Sequence, residues 1–319
     1  MNYSSLFKIF FIKIALLLFL SSTAQSAPSS PLVNSGWVND RLEQENVIVL
    51  DIRNSREFGS GTIPGALNSP YGKAGWRVSK NNVPGVLPEK AQLESLFQGL
   101  GINENSEIVV VYGGHPRSDF GSAARVYWTL KVGGLQNVSV LNGGIKAWVN
   151  DGHKVSQKYG QAKPSDYKIQ NLDSRYYASQ DEVKENLSSG KYLAIDARPD
   201  KQYFGYEKHK ASSQGGTIPN AENISQFSFL EKDTFKLIPK NQITSITSNY
   251  DIDGYEGVVS FCNTGHWAAT NWFVFSEVLG NNTKLYDGSM VEWTANKDNP
   301  LDNVKNRIQL LWYELTKDE

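Results

Sequence analysis

Cys262 is the only cysteine of the chain, and it stands at the end of the apolar run 258–261. Asn263, Thr264, Gly265, His266, Trp267 and Ala268 follow it, leading into a stretch rich in alanine and aromatic residues with the pattern of a helix. A thiol so placed could serve as a nucleophile. Residues entering a helix carry backbone N–H groups without helical acceptors. Curled around one point, those groups make an anion-binding nest with the helix dipole behind it. A free thiol ionises near pH 8.5, and such surroundings bring it into a range of about 3.5–7.5. The thiolate then needs no neighbouring base. Gly265 permits the backbone angles that a larger residue resists, and Ala268 and Ala269 let the helix start press close to a sheet. The alternative is an inert cysteine, since a free thiol also packs as a small hydrophobe. Position separates the two, because sites in open parallel α/β sheets form beyond the C-terminal strand ends.

The elements that must hold this loop occur twice. Asp51 and Arg53 of VIVLDIR match Asp196 and Arg198 of YLAIDAR, GTIPGALN matches GTIPNAEN, and VLNGGIKAW ending at Trp148 matches LYDGSMVEW ending at Trp293. The offset is 145 residues at both outer anchors. Runs 47–51, 108–112 and 138–141 read as strands in the first copy, with 120–131 as a helix. Runs 192–196, 258–261 and 284–286 are their counterparts in the second, with a helix over 268–279 stopped by Gly280. Apolar strands alternating with helices predict an α/β fold: two tandem units, each a parallel β-sheet flanked by helices. The expected boundaries are 34–155 for the first unit, 156–174 for a polar linker and 175–319 for the second. Aligning VVVYGG with VVSFCN sets Gly113 opposite Cys262, so the first copy lacks the thiol and is expected to be a silent partner that walls the site.

The 319 residues carry a formal net charge of −1, which argues against a nucleic-acid partner. Residues 1–26 read as a secretory leader: Lys8 and Lys13, then the apolar run 14–20, then small residues, with cleavage expected after Ser26. That run is too short to span a bilayer, so the expected location is the bacterial periplasm, with no stable membrane association once the leader is removed. Export sharpens the question of the thiol. Oxidising compartments favour disulfides, and a lone cysteine in an exported protein is either a reactive thiol or a buried small hydrophobe, which its position must decide.

Taken together, DIR and DAR, GTIPGALN and GTIPNAEN, the CNTGHWA loop, and LNGGIKAW with LYDGSMVEW resemble the tandem-domain rhodanese sulfurtransferases over nearly the whole mature chain. The resemblance implies an inactive N-terminal and an active C-terminal rhodanese-like domain, with Cys262 as catalytic residue. It implies transfer of a sulfane sulfur from thiosulfate or a similar small donor, through a Cys262 persulfide, to cyanide, a thiol or a protein acceptor, with no metal or organic cofactor. Asn263, Thr264, Gly265, His266, Trp267 and Ala268 would cradle the persulfide. Arg198 matches the arginine of the family's D-[AS]-R element and would hold the anionic substrate; a structural ion pair is its alternative. The chain departs from the family at Gln202, where a second arginine is common, and at Asn263 and Thr264, where thiosulfate-preferring relatives are cationic. Arg198, His266 or the 207–210 run would then supply charge, and Trp76 and Arg77 could reach the cleft from the first copy. Mercaptopyruvate-using relatives carry a histidine where this chain has Thr62, which tells against that donor. Rhodanese-fold phosphatases need an arginine where this chain has Ala268. A non-turnover persulfide carrier needs the same cradle and stays open.

Overall fold

The computed structural model describes residues 30–116 and 119–317; the leader and its cleavage point lie outside them. The first unit is built on a parallel sheet of β1 (Leu32–Val33), β2 (Val47–Asp51), β3 (Leu67–Asn68), β6 (Glu107–Val111) and β7 (Val138–Leu141), in the order β1-β7-β6-β2-β3. Between β3 and β6 runs an antiparallel hairpin, β4 (Val78–Lys80) and β5 (Val83–Val86). Asn81 and Asn82 turn it, both at positive φ, which suits a tight two-residue hairpin and which asparagine tolerates. The second unit repeats the plan with β8 (Tyr192–Asp196), β9 (Glu222–Asn223), β10 (Gly257–Phe261) and β11 (Thr283–Leu285), in the order β11-β10-β8-β9, again parallel. The central strands β6 and β10 are almost wholly buried, as strands covered on both faces by helices must be. The linker is strapped to the first unit: Gly160 N–H donates to the Ala66 carbonyl, and the Tyr167 hydroxyl to that of Gly133.

The two units share one apolar core. Helix Phe120–Val132 of the first lies against helix His266–Phe273 of the second, and their rings interlock: Phe120 and Tyr127 both meet Phe273 edge-on, at 5.5 and 4.9 Å between centroids. The periodicity placed the second helix over 268–279. It begins instead at His266, and its last turns, Val274–Leu279, widen to π geometry before Gly280, at φ 83°, ends it. Because the two paired helices are those that follow the central strands, the loops leading into them face each other across the junction. Cys262 lies in one of those loops.

Candidate active site

Cys262 follows β10 directly, and the residue is 1% exposed. Gly265, at φ 72°, turns the chain into the helix starting at His266. Any side chain at Gly265 would press on Asp287, whose backbone lies 2.9 Å from the place of a Cβ. Ser289 closes the loop: its Oγ accepts from the Cys262 N–H at 3.0 Å and the Gly265 N–H at 3.2 Å, and donates to the Tyr286 carbonyl at 2.8 Å. Two loop ends held by one oxygen force residues 262–265 into a tight curl. The Asn263 and Thr264 amides have no protein acceptor among the described residues, and Trp267 and Ala268 lie in the helix's first turn, ahead of any helical acceptor. The loop thus offers a set of unclaimed N–H donors at a positive helix end beside a thiol.

Ser289 was not legible as a functional residue, although the repeat holds its signal. Its counterpart is Gly144, and both take left-handed backbone angles, φ 51° and φ 59°. Glycine does so freely, whereas serine bears a strain of about 1–2 kcal/mol. The second copy keeps the hydroxyl at that cost, and the hydroxyl clamps the cysteine loop. Ser289→Gly should relieve the strain and leave the melting temperature within a few degrees, while slowing reaction at Cys262 about tenfold through loss of loop order. A Michaelis–Menten series beside a thermal melt checks both.

The remaining expected residues are distributed as follows. Asn263 is buried; its Nδ2 donates to Gln202 Oε1 at 2.8 Å, and its Oδ1 has no partner among the described residues. Gln202, at the place of the missing arginine, therefore does touch the loop. His266 is partly buried, with Nδ1 3.0 Å from the Tyr71 hydroxyl of the first unit. Trp267 is partly buried beside the ring of Phe227. In the 207–210 run, Lys208 binds the Ser212 carbonyl and His209 accepts from the Ala211 amide, so these side chains serve their own loop.

Arg198 departs from the substrate-binding expectation. It is 1% exposed, and its backbone N–H, Nε and Nη2 all go to the Asp196 carboxylate, with Nη2 also donating to the Gly216 carbonyl at 2.7 Å. Thr217 donates to the same carboxylate, and Asn223 binds the carbonyls of Asp196 and Arg198. Asp51, Arg53, Gly61, Thr62 and Asn68 repeat this network in the copy that has no thiol. A device present with and without the cysteine belongs to the scaffold.

The sheet registers also correct the pairing of Gly113 with Cys262. Asp51 pairs with Val111 and Asp196 with Phe261, so Tyr112 is the counterpart of Cys262. The neighbouring bonds agree: Ile145 N–H reaches the Tyr112 carbonyl as Met290 N–H reaches that of Cys262. Tyr112 is fully buried, its hydroxyl accepts from the Gly143 N–H, and burial raises its phenol well above the ordinary range. The amides beyond it are claimed by a carboxylate of the same loop, with Asp119 Oδ2 accepting from Gly114 N–H at 3.1 Å. Burial pushes the Asp119 carboxyl up to about 6, against the bonds from Gly114, His115 and Gly113. A raised carboxyl penalises the fold where it is ionised, so stability should rise as pH falls from about 6 toward 4. Asp119→Asn should flatten that rise, as melts of both proteins across the window would show.

The first unit does more than wall the site. Arg125, fully buried on helix Phe120–Val132, pairs with Asp287 at 3.1 Å and donates to the Gly265 carbonyl at 3.4 Å. Burial lowers its pKa; Asp287 opposes this first, with Tyr71 and Cys262 acting in the same sense and Arg77 against it. Asp287 also accepts from the Leu87 N–H at 2.5 Å. Counted by the repeat, Thr270 and Asn142 stand where Arg125 and Asp287 do, so the charge pair has no counterpart on the other side of the junction.

Comparison with known proteins agrees with this arrangement. The family pattern described as the Rhodanese-like domain matches residues 34–151 and 179–296. Thiosulfate sulfurtransferase of Rattus norvegicus is 27% identical over 271 residues, covering 83% of this chain and 85% of that protein. Sulfur carrier protein TtuD of Thermus thermophilus is 28% identical over 274 residues, covering 82% and 93%. Among solved structures, the anaerobic ergothioneine biosynthesis enzyme from Chlorobium limicola superposes with a TM-score of 0.73 at 21% identity, over 86% of this chain and 71% of that one. That last likeness shows the fold alone.

Proposed function

The chain belongs to the rhodanese family as a tandem pair of rhodanese-like domains, and from that premise we propose that it is a thiosulfate sulfurtransferase working through Cys262. The observation that carries this reading is the curled loop after β10, where unclaimed amides of Asn263 and Thr264 and a helix start surround the one thiol. The Cys262 thiolate attacks the outer sulfur of thiosulfate. The new S–S bond forms as the old one breaks, and its electron pair leaves with sulfite. Cyanide or a thiolate then attacks the terminal sulfur of the persulfide, taking it as thiocyanate or a new persulfide and returning the thiolate. Covalent catalysis here splits one transfer into two displacements. The loop N–H groups serve both anions, thiolate and persulfide, as donors already in place.

Steady-state thiocyanate formation from thiosulfate and cyanide tests the reading. Many turnovers per Cys262 are expected. A persulfide that forms once and is passed on only to a protein would make the chain a carrier, the role recorded in the name of the Thermus relative. The basic and apolar leader supports export to the periplasm as part of the same proposal. In that oxidising setting a thiolate can climb to sulfinic acid, and the deep seat of Cys262 supports its protection. Mass spectrometry of protein prepared without reductant should find one added sulfur; oxygenated thiol would count against this.

A further inference from the structure

We propose that Arg77, on the silent first unit, is the cation that recognises the anionic sulfur donor at the Cys262 loop. The assignment rests on the sulfurtransferase reading and names the residue that reading lacks. A thiosulfate or thiosulfonate donor presents a sulfonate-like oxygen face, and Arg198, the expected partner, is committed to Asp196. The loop itself offers Asn263 and Thr264, both neutral, and Gln202 is neutral as well.

Arg77 precedes the β4–β5 hairpin and is partly buried, yet no carboxylate among the described residues pairs with it. A guanidinium with no carboxylate partner has its charge open to a visiting anion. Three features aim it at the site. Nη1 donates to the Tyr71 hydroxyl at 2.9 Å, and that hydroxyl meets His266 of the cysteine loop at 3.0 Å. Gly85, at φ 88°, is cut away for it: a Cβ there would collide with Arg77 Nη2 and stand 2.8 Å from the Thr264 carbonyl oxygen. The guanidinium and the carbonyl of the second residue after Cys262 therefore meet at the same glycine. Beyond it the buried Arg125 is paired with Asp287, which leaves Arg77 as the cation at this junction with no carboxylate partner among the described residues. The planar fork of Arg77 suits two oxygens of the donor, and it would hold the sulfite group as the S–S bond breaks.

The test separates loading from discharge. Loading is the gain of one sulfur on Cys262 from thiosulfate, followed by mass spectrometry in a single turnover. Discharge is thiocyanate release from the loaded protein with cyanide. Arg77→Met should slow loading at low thiosulfate about ten- to a hundredfold, with discharge within about twofold of the wild type, and Arg77→Lys should recover part of the loss. A simple alkyl hydropersulfide, which has no sulfonate and passes its outer sulfur to Cys262 as the alkyl thiolate leaves, should load Arg77→Met and the wild type alike. Unchanged loading from thiosulfate would overturn the assignment, as would an equal loss in loading and discharge, which would mark Arg77 as a prop of the loop. A wild-type protein that never gains sulfur on Cys262 would instead overturn the sulfurtransferase reading.

Discussion

Cys262→Ser removes sulfur transfer: thiocyanate formation from thiosulfate and cyanide should fall on the order of a thousandfold or more. Serine matches the thiol in shape, so the loop held by Ser289 and Gly265 should persist, and the melting curve should move little. The hydroxyl, however, stays protonated at neutral pH and cannot carry a stable sulfane sulfur. Added sulfur should therefore be absent from the mass of the variant after thiosulfate treatment. Retained turnover would contradict the mechanism. No second cysteine exists to substitute for the first, so the result is free of the redundancy that complicates such tests in cysteine-rich proteins.

The second large effect falls on stability. Arg198→Met leaves the Asp196 carboxylate, which is fully buried, without its guanidinium partner. Breaking a buried pair by removing one member costs about 3–5 kcal/mol, because the surviving charge is uncompensated. For a unit of this size that lowers the melting temperature by roughly 10 °C. At temperatures where the variant is folded, its KM for thiosulfate should match the wild type's. The opposite outcome, a raised KM with an unmoved melt, would return Arg198 to substrate binding. Arg53→Met in the first unit should lower the melt similarly without touching KM.

The contrast between Arg198 and Cys262 shows what the sequence could and could not convey. Strand ends at Asp51, Leu141, Asp196 and Phe261 lie where the apolar runs place them, because a strand buried on both faces is a local pattern. The cysteine loop was legible for the same reason: strand, turn and helix start are contiguous. The role of Arg198 was not, since a guanidinium two residues from its carboxylate reads alike whether it binds inward or outward. The counterpart of Cys262 slipped by one residue, to Gly113, because both copies end in apolar runs that slide past each other without penalty until the sheet fixes their register. Ser289 and Asp287 reach the loop through the pairing of β11 with β10, and only the packing of Phe120–Val132 against His266–Phe273 brings Tyr71 and Arg125 to it. Even so, the repeat held a clue in Gly144 and Ser289, a residue free to be glycine in one copy and kept as serine in the other.

Tyr112 and Asp119 carry a consequence for descent. A change of Tyr112 to cysteine would place a thiol in the first copy, but the amides that should greet its charge already hold the Asp119 carboxylate. The new thiol would arrive at an occupied seat. Gaining chemistry there would take at least two coordinated changes, so the first half of the duplication is held in its supporting part by a carboxylate of its own loop.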